Sequence, residues 1–325
     1  MKTLKKPSTH LPRVLNVKTP LKSSQAASSA LVASYSSAAQ SSATTRAYAT
    51  DIQHFLRHGG TIPATAVMVA EYLASFADSL AVATLERRLI AIHRAHTDLA
   101  LQSPAMDHIV KRTMQGIRRT LGTAQRRVRA LVKDDLLEMM FYLDQQMPMR
   151  AARDKALLLI GFAGAFRRSE LVALRCEDMT ICENGLELLI RRSKTDQEGA
   201  GRTVFIPYAQ GSRCPVKALN YWLELAGIEV GPLFRPVSRY DQIVGRKSLT
   251  PQSVNLVVKA AVRAMAGEDA AKMVAGHSLR AGYCTEATIS GLQPYQIREQ
   301  TGHRSDVTLA RYIRPVAKRK IPSLL

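Results

Sequence analysis

The chain has 325 residues, 46% of them hydrophobic, and carries a formal charge of +20 at pH 7. That length suits two domains with sizeable cores, and the excess of lysine and arginine points to a polyanion, nucleic acid first. Three classes are disfavoured. No apolar run reaches the ~18 residues of a membrane span, and the basic start Met1–Pro7 has no apolar stretch behind it, so it does not read as a secretory signal. The four cysteines, Cys176, Cys182, Cys214 and Cys284, show no CxxC pairing, which argues for reduced thiols rather than zinc or a disulfide framework.

Residues 1–22 are basic and proline-punctuated and read as a flexible arm. Ser23 to Gln40 is rich in Ala and Ser and reads equally as a weak helix or a linker. From Thr44 a helical period emerges, with Tyr48, Ile52, Phe55 and Leu56 on one face and Gly59-Gly60 as its end. A second helix is expected from Pro63 through Val67, Val69, Tyr72, Leu73 and Phe76. A third, Thr84 to Ala100, turns Leu85, Leu89, Ile92 and His96 inward and Arg87 and Arg88 outward. A fourth starts after Pro104 and carries Met106, Ile109, Val110, Met114 and Ile117. These give an all-helical domain over 23–122. The segment 123–132, with Arg126, Arg127 and Arg129, reads as a basic linker that passes DNA phosphates or as a solvated turn.

The second domain, 133–325, opens at Lys133-Asp134-Asp135, an acidic helix start before Leu136, Leu137, Met140 and Leu143. Asp154 to Phe166 is apolar enough for a buried helix. Gly185–Arg192 and Thr203–Pro207 alternate and read as two strands joined by a polar turn holding Lys194. Helices are expected at Pro215–Leu225, Pro251–Met265, His277–Ile289, Pro294–Gln300 and Asp306–Arg314, with Gly291 and Gly302 as stops.

The chemistry concentrates in a few boxes. Arg167-Arg168-Ser169-Glu170 is a polar cluster beside an apolar stretch; His277-Ser278-Leu279-Arg280, His303 and Tyr312 follow in order. Cations and imidazoles around one tyrosine suit phosphoryl transfer with a tyrosine nucleophile: guanidiniums hold the phosphate, a histidine moves a proton and the phenolate attacks. Taken singly each residue is ordinary, a solvated arginine, a loop lysine or a half-buried tyrosine. The order and spacing set them apart.

Arg167-Arg168-Ser169-Glu170-Leu171, His277-Ser278-Leu279-Arg280, Thr301-Gly302-His303 and Arg311-Tyr312-Ile313 resemble the boxes of the tyrosine recombinases, or phage integrases, with a layout similar to Cre recombinase. The resemblance is specific over 133–325 and looser over the helical domain. It implies a mainly α fold: a two-domain C-shaped DNA clamp, with an all-helical N-terminal core-binding domain and an α+β catalytic domain holding a small antiparallel sheet. It implies that Tyr312 forms a 3′-phosphotyrosine, that Arg167 and Arg280 grip the non-bridging oxygens, and that His303 adds a hydrogen bond. His277 would take the tyrosine proton, Lys194 would protonate the 5′-oxygen, and Glu170 would orient the cluster. Of Arg167 and Arg168, the box position favours Arg167.

The resemblance further implies double-stranded DNA with an inverted-repeat target, a homotetramer on two duplexes, a Holliday junction, and neither metal, ATP nor other cofactor. A cytoplasmic, nucleoid-associated location follows, away from membranes. Arg46, Arg87 and Arg88, and Gln252, Ser253 and Asn255, would face the major groove. A type IB topoisomerase, an inactive DNA-binding protein and, more weakly, a metal-dependent transposase are the rival readings.

Overall fold

The computed structural model describes residues 31, 32, 34, 35, 41–124, 128–193, 196, 201–305, 307, 309, 310 and 312. The chain divides into two compact units, Met1–Arg126 and Arg127–Leu325. Among the described residues no helix is long and apolar enough to cross a membrane.

The first unit is helical. Helix α1 (Ser42–Arg57) starts where the Ser41 hydroxyl accepts the Thr44 amide, and it stops before Gly59, whose φ of +85° suits a residue without Cβ. Helix α2 (Ala66–Ser75) is capped by Thr65, which accepts the Met68 amide, so Pro63 lies in the preceding loop and not in the first turn as expected. Helix α3 (Val82–Thr97) follows. A 3-10 turn, Pro104–Met106, then leads to α4 (His108–Leu121), capped by Asp107. Phe55, Leu73, Leu85, Ile92 and Met114 meet in the core, each contributing about 1.5–3 kcal/mol by burial. His96 is fully enclosed: its Nδ1 donates to the Ile92 carbonyl at 2.7 Å and its Nε2 accepts the Ala64 amide at 2.9 Å.

Four expected core residues are exposed: Leu56, Val67, Met106 and Ile109. The Asp107 cap restarts the helical phase, so Val110, Met114 and Ile117 face inward and Met106 and Ile109 do not. Arg88 is the opposite correction. Expected outward, it is buried, because its guanidinium bonds the Tyr72 hydroxyl at 3.0 Å and His54 Nδ1 at 3.1 Å and lies 3.7 Å from the buried Asp51 carboxylate. Asp51, not Leu56, takes the inward place on α1.

In the second unit, the strap before α5 (Lys133–Leu143) is anchored rather than free. The Arg129 amide bonds Met273 O at 2.8 Å, the Leu131 amide bonds Ser278 O at 3.0 Å, and Leu131 is fully buried. Asp135 accepts the Val132 amide at 2.9 Å and so starts α5. Helix α6 (Pro148–Ala163) is buried along most of its length and packs on α8 (Pro215–Leu225). Between them come α7 (Arg168–Ala173) and an antiparallel sheet of three strands, β1 (Met179–Cys182), β2 (Gly185–Ile190) and β3 (Arg202–Pro207), in that order. Sequence analysis gave two strands; β1, four residues long, has too little alternation to read. Leu188 pairs with Val204 and Leu186 with Ile206, placing the apolar face of the sheet on the core.

Trp222 of α8 is fully buried, with its indole nitrogen donating to Leu233 O at 2.8 Å. Helix α9 (Pro251–Met273) runs past the expected end at Met265 but is broken at Gly267, φ +82°. Helices α10 (Ser278–Ile289) and α11 (Pro294–Thr301) complete the frame, and the described residues from 307 to 312 are helical.

Candidate active site

Three backbone features converge in the second unit. After α6 the chain turns sharply at Ala165 (φ +49°), which directs the Ala165 carbonyl toward α10 and sets Arg167 just ahead of α7. Helix α10 sits directly on the strap: a Cβ on Gly282 would stand 1.7 Å from the Leu131 carbonyl oxygen, so only glycine allows this approach. Helix α11 ends at Gly302 in the left-handed region, and the chain reverses into His303.

Arg280 lies on the inner face of α10, 1% exposed. Its Nη1 donates to Ala165 O at 2.7 Å and to Thr301 O at 2.6 Å, which locks the guanidinium between two segments of the frame. Its Nη2 is buried and has no partner among the described residues. Arg167 donates from Nη1 to Glu170 at 2.5 Å and from Nη2 to Gly302 O at 3.3 Å, while Glu170 also accepts the Arg167 amide at 3.0 Å. Arg202, the first residue of β3, reaches the other Glu170 oxygen at 3.5 Å and Gln300 O at 2.9 Å. One buried carboxylate is thus shared by Arg167 and Arg202, and Arg280 has no carboxylate partner of its own among the described residues. The cluster carries an excess of positive charge that an anion would offset.

The titrating groups agree. Desolvation, then the neighbouring Arg167, pulls the Arg280 pKa down to about 10. Loss of solvent, then the Arg280, Arg167 and Arg168 guanidiniums, lowers His277 to about 4. The same causes, desolvation first and then Arg280 and Arg167, take His303 to about 3. Both imidazoles are therefore neutral near pH 7. His277 Nε2 stands 2.6 Å from the Tyr312 hydroxyl, and the His303 ring lies 5.7 Å from the Tyr312 ring. The Thr301 hydroxyl donates to Ile297 O at 2.7 Å, so it accepts from His303 Nδ1, also at 2.7 Å; the Nε2 lone pair is left as the second functional edge of that ring.

The structure thus brings together Arg167, Glu170, His277, Arg280, His303 and Tyr312. Lys194, Arg126 and Arg127 lie outside the described residues, as does the segment 1–22. Arg129 pairs with Asp135 at 3.0 Å. Arg46 and Gln252 are exposed, and Ser253 bonds the Thr250 cap. Asn255 is half-buried with its side-chain carbonyl committed to the Gly276 amide at 3.1 Å, which steadies the turn before His277. Arg87 is half-exposed but paired with Asp51, and Arg88 is buried beside the same carboxylate.

Sequence reading missed Arg202, Gln300, Thr301 and the turn-holding role of Asn255. Gln300 Nε2 donates to Ala163 O at 2.9 Å and Phe205 O at 3.0 Å, tying α11 to α6 and β3. The partners of Arg202 and Gln300 are distant in sequence, and no local pattern marks them. Thr301, two residues before His303, carried the one local signal.

Residues 129–319 match the phage integrase family. The integrase/recombinase xerD homolog of Selenomonas ruminantium is 39% identical over 279 residues, which span 83% of this chain and 81% of that protein. Among solved structures, the XerH site-specific recombinase on palindromic difH substrate, a post-cleavage complex, aligns with a TM-score of 0.56 at 20% identity, over 78% of this chain and 70% of that one. A lambda integrase tetramer bound to a Holliday junction aligns with a TM-score of 0.56 at 17% identity, over 91% of this chain and 78% of that one. At these identities the structural likeness establishes the shared fold.

Proposed function

Because the chain belongs to the phage integrase family, the tyrosine-type site-specific recombinases, we propose that it cuts and rejoins duplex DNA through Tyr312. The observation that carries this reading is the 2.6 Å contact between His277 Nε2 and the Tyr312 hydroxyl, beside a buried Arg280 with an unpartnered nitrogen. Neutral His277 takes the phenolic proton as the oxygen attacks the scissile phosphorus. The bond to the 5′-oxygen breaks, Lys194 supplies that oxygen with a proton, and a 3′-phosphotyrosine remains. Religation by a 5′-hydroxyl reverses these steps and keeps the bond energy.

Arg280 Nη2 and Arg167 hold the non-bridging oxygens; guanidiniums suit this because their forks match phosphate geometry. His303 adds a donor through Nε2 once the arriving anion raises its pKa enough for it to take up a proton. Glu170 and Arg202 position Arg167. The guanidiniums supply the charge stabilisation that a metal ion provides elsewhere, so the step proceeds in EDTA and without ATP.

The wider reading follows the same family. The helical domain (23–122) and the catalytic domain (133–325), joined through 123–132, each bind the duplex. Four protomers act on two duplexes with inverted-repeat sites, in two strand exchanges through a Holliday junction, in the cytoplasm with the nucleoid. The tetrameric, junction-bound form of lambda integrase supports that assembly.

Covalent capture tests the chemistry. The protein is incubated with a library that includes DNA flanking its own gene, in EDTA without ATP, quenched in SDS and mapped by mass spectrometry. A phosphotyrosine at Tyr312, absent from Tyr312→Phe, supports the proposal. Absence of any adduct across the library would make the chain a DNA-binding protein only, and cleavage without exchange between duplexes would make it a topoisomerase.

A further inference from the structure

The first unit contains one arginine whose geometry is fixed in an unusual way. Arg87 on α3 is 48% exposed, yet its Nε donates to Asp51 Oδ2 at 2.7 Å and its Nη2 to Asp51 Oδ1 at 3.0 Å. Asp51 is itself buried beneath it, with Arg88 on its other side at 3.7 Å. The carboxylate therefore grips the side edge of the Arg87 guanidinium and removes most of its rotamer freedom. The end edge, Nη1 with the second Nη2 hydrogen, has no partner among the described residues and is left for a ligand.

The surroundings point to DNA. Helices α1 and α3 pack together, and they expose the arginines Arg46, Arg57, Arg87 and Arg94 against one partly exposed acid, Glu86. Their two acids are occupied, Asp51 as described and Glu86 by Arg118 at 2.7 Å. Arg46, Arg57 and Arg94 have no ion-pair partner among the described residues and are free to take phosphates. Arg87 differs from them because it is paired with a carboxylate, shared with Arg88, which weakens it as a phosphate clamp. Base-edge recognition depends on a rigid pair of parallel donors rather than on net charge, and two parallel N–H groups match guanine O6 and N7.

We propose that Arg87 reads a guanine in the target duplex and that Asp51 is its positioning residue. The inference rests on the recombinase reading but adds to it: a specified base, a specified reader and a buried carboxylate that sharpens it.

The test uses the full-length protein and a randomised duplex library. Bound sequences are selected for the wild type, Arg87→Lys and Asp51→Asn, with thermal melts to confirm folding. The wild-type motif is expected to hold a guanine that Arg87→Lys no longer selects, while the other positions and the salt dependence of binding persist. Placing 7-deazaguanine at that position should weaken wild-type binding about tenfold or more and Arg87→Lys by less than about twofold. Asp51→Asn, if folded, should show a weakened preference at the same position only. An unchanged motif in Arg87→Lys would overturn the assignment and leave the recombinase reading intact. Wild-type protein that selects no motif at all would overturn both.

Discussion

Arg88 in the first unit and Arg280 in the second are both buried, at 8% and 1% exposure, and each has one buried nitrogen without a hydrogen-bond partner among the described residues. Their surroundings differ in charge. Arg88 lies 3.7 Å from the Asp51 carboxylate and bonds the Tyr72 hydroxyl and His54. Among the described residues Arg280 bonds only main-chain carbonyls, and the nearby carboxylate of Glu170 is shared by Arg167 and Arg202. A buried cation beside a carboxylate serves the fold. A buried cation held by carbonyl dipoles keeps its charge for something that arrives, and a phosphate is the fitting guest.

Exchanging each for methionine gives the sharpest test. Arg88→Met should cost about 3 kcal/mol in urea unfolding, because Asp51 loses its buried counter-charge, while the cleavage rate per folded molecule stays unchanged. Arg280→Met should lower that rate about 100- to 1000-fold in single-turnover assays, with the loss persisting under conditions where the variant is fully folded. If the two phenotypes exchanged places, the distinction drawn from their partners would be wrong.

This contrast also shows what the sequence could and could not reveal. Arg167, Arg280, His277, His303 and Tyr312 were legible because the boxes keep a fixed order along the chain, and the helices that carry most of them were placed within a few residues. Arg88 was not, because periodicity assigns a charged side chain to the outer face unless a counter-charge is visible. Asp51 is 37 residues away, on another helix. Arg202 failed for the same reason, its ligands Glu170 and Gln300 being brought to it only by the packing of β3 against the turn and α11. Long-range polar partners are set by tertiary structure, and a period of 3.6 or 2 carries no information about them.

The second unit should also be the acid-sensitive one. His303 is 8% exposed and its pKa is pushed down to about 3, against about 6.5 in an unfolded chain. Above pH ~6.5 the ring is neutral in both states and has no effect. As the pH falls from about 6.5 toward 3, the unfolded chain binds a proton that the folded ring refuses, so stability declines. Below about 3 both states are protonated and the loss stops growing. The total is on the order of a few kcal/mol, read from urea midpoints across that range. Arg280→Met should shrink it, since Arg280 is the largest cause after desolvation.

Arg202→Ala should have a smaller effect, about a tenfold loss in cleavage rate, because Arg167 loses a constraint but not its place. A purely structural role would leave the imidazoles untouched. Arg202 is one of the charges holding His303 down, so NMR titration of His303 should show its pKa rising in Arg202→Ala and largely restored in Arg202→Lys.

The smallest expected effect checks the premise that Arg88 has a counter-charge at all. Positions 51 and 56 are five residues apart, about 140° around a helix, so Asp51 and Leu56 cannot both face the core. The structure buries Asp51 and exposes Leu56. Leu56→Ser should then change the unfolding free energy by no more than about 0.5 kcal/mol, whereas truncating the buried Phe55 to alanine should cost about 3–5 kcal/mol. A loss of several kcal/mol for Leu56→Ser would mean that α1 is rotated from the phase described. Asp51 would then point away from Arg88 and Arg87, and the distinction between a balanced arginine in one unit and an unbalanced one in the other would lose its first half.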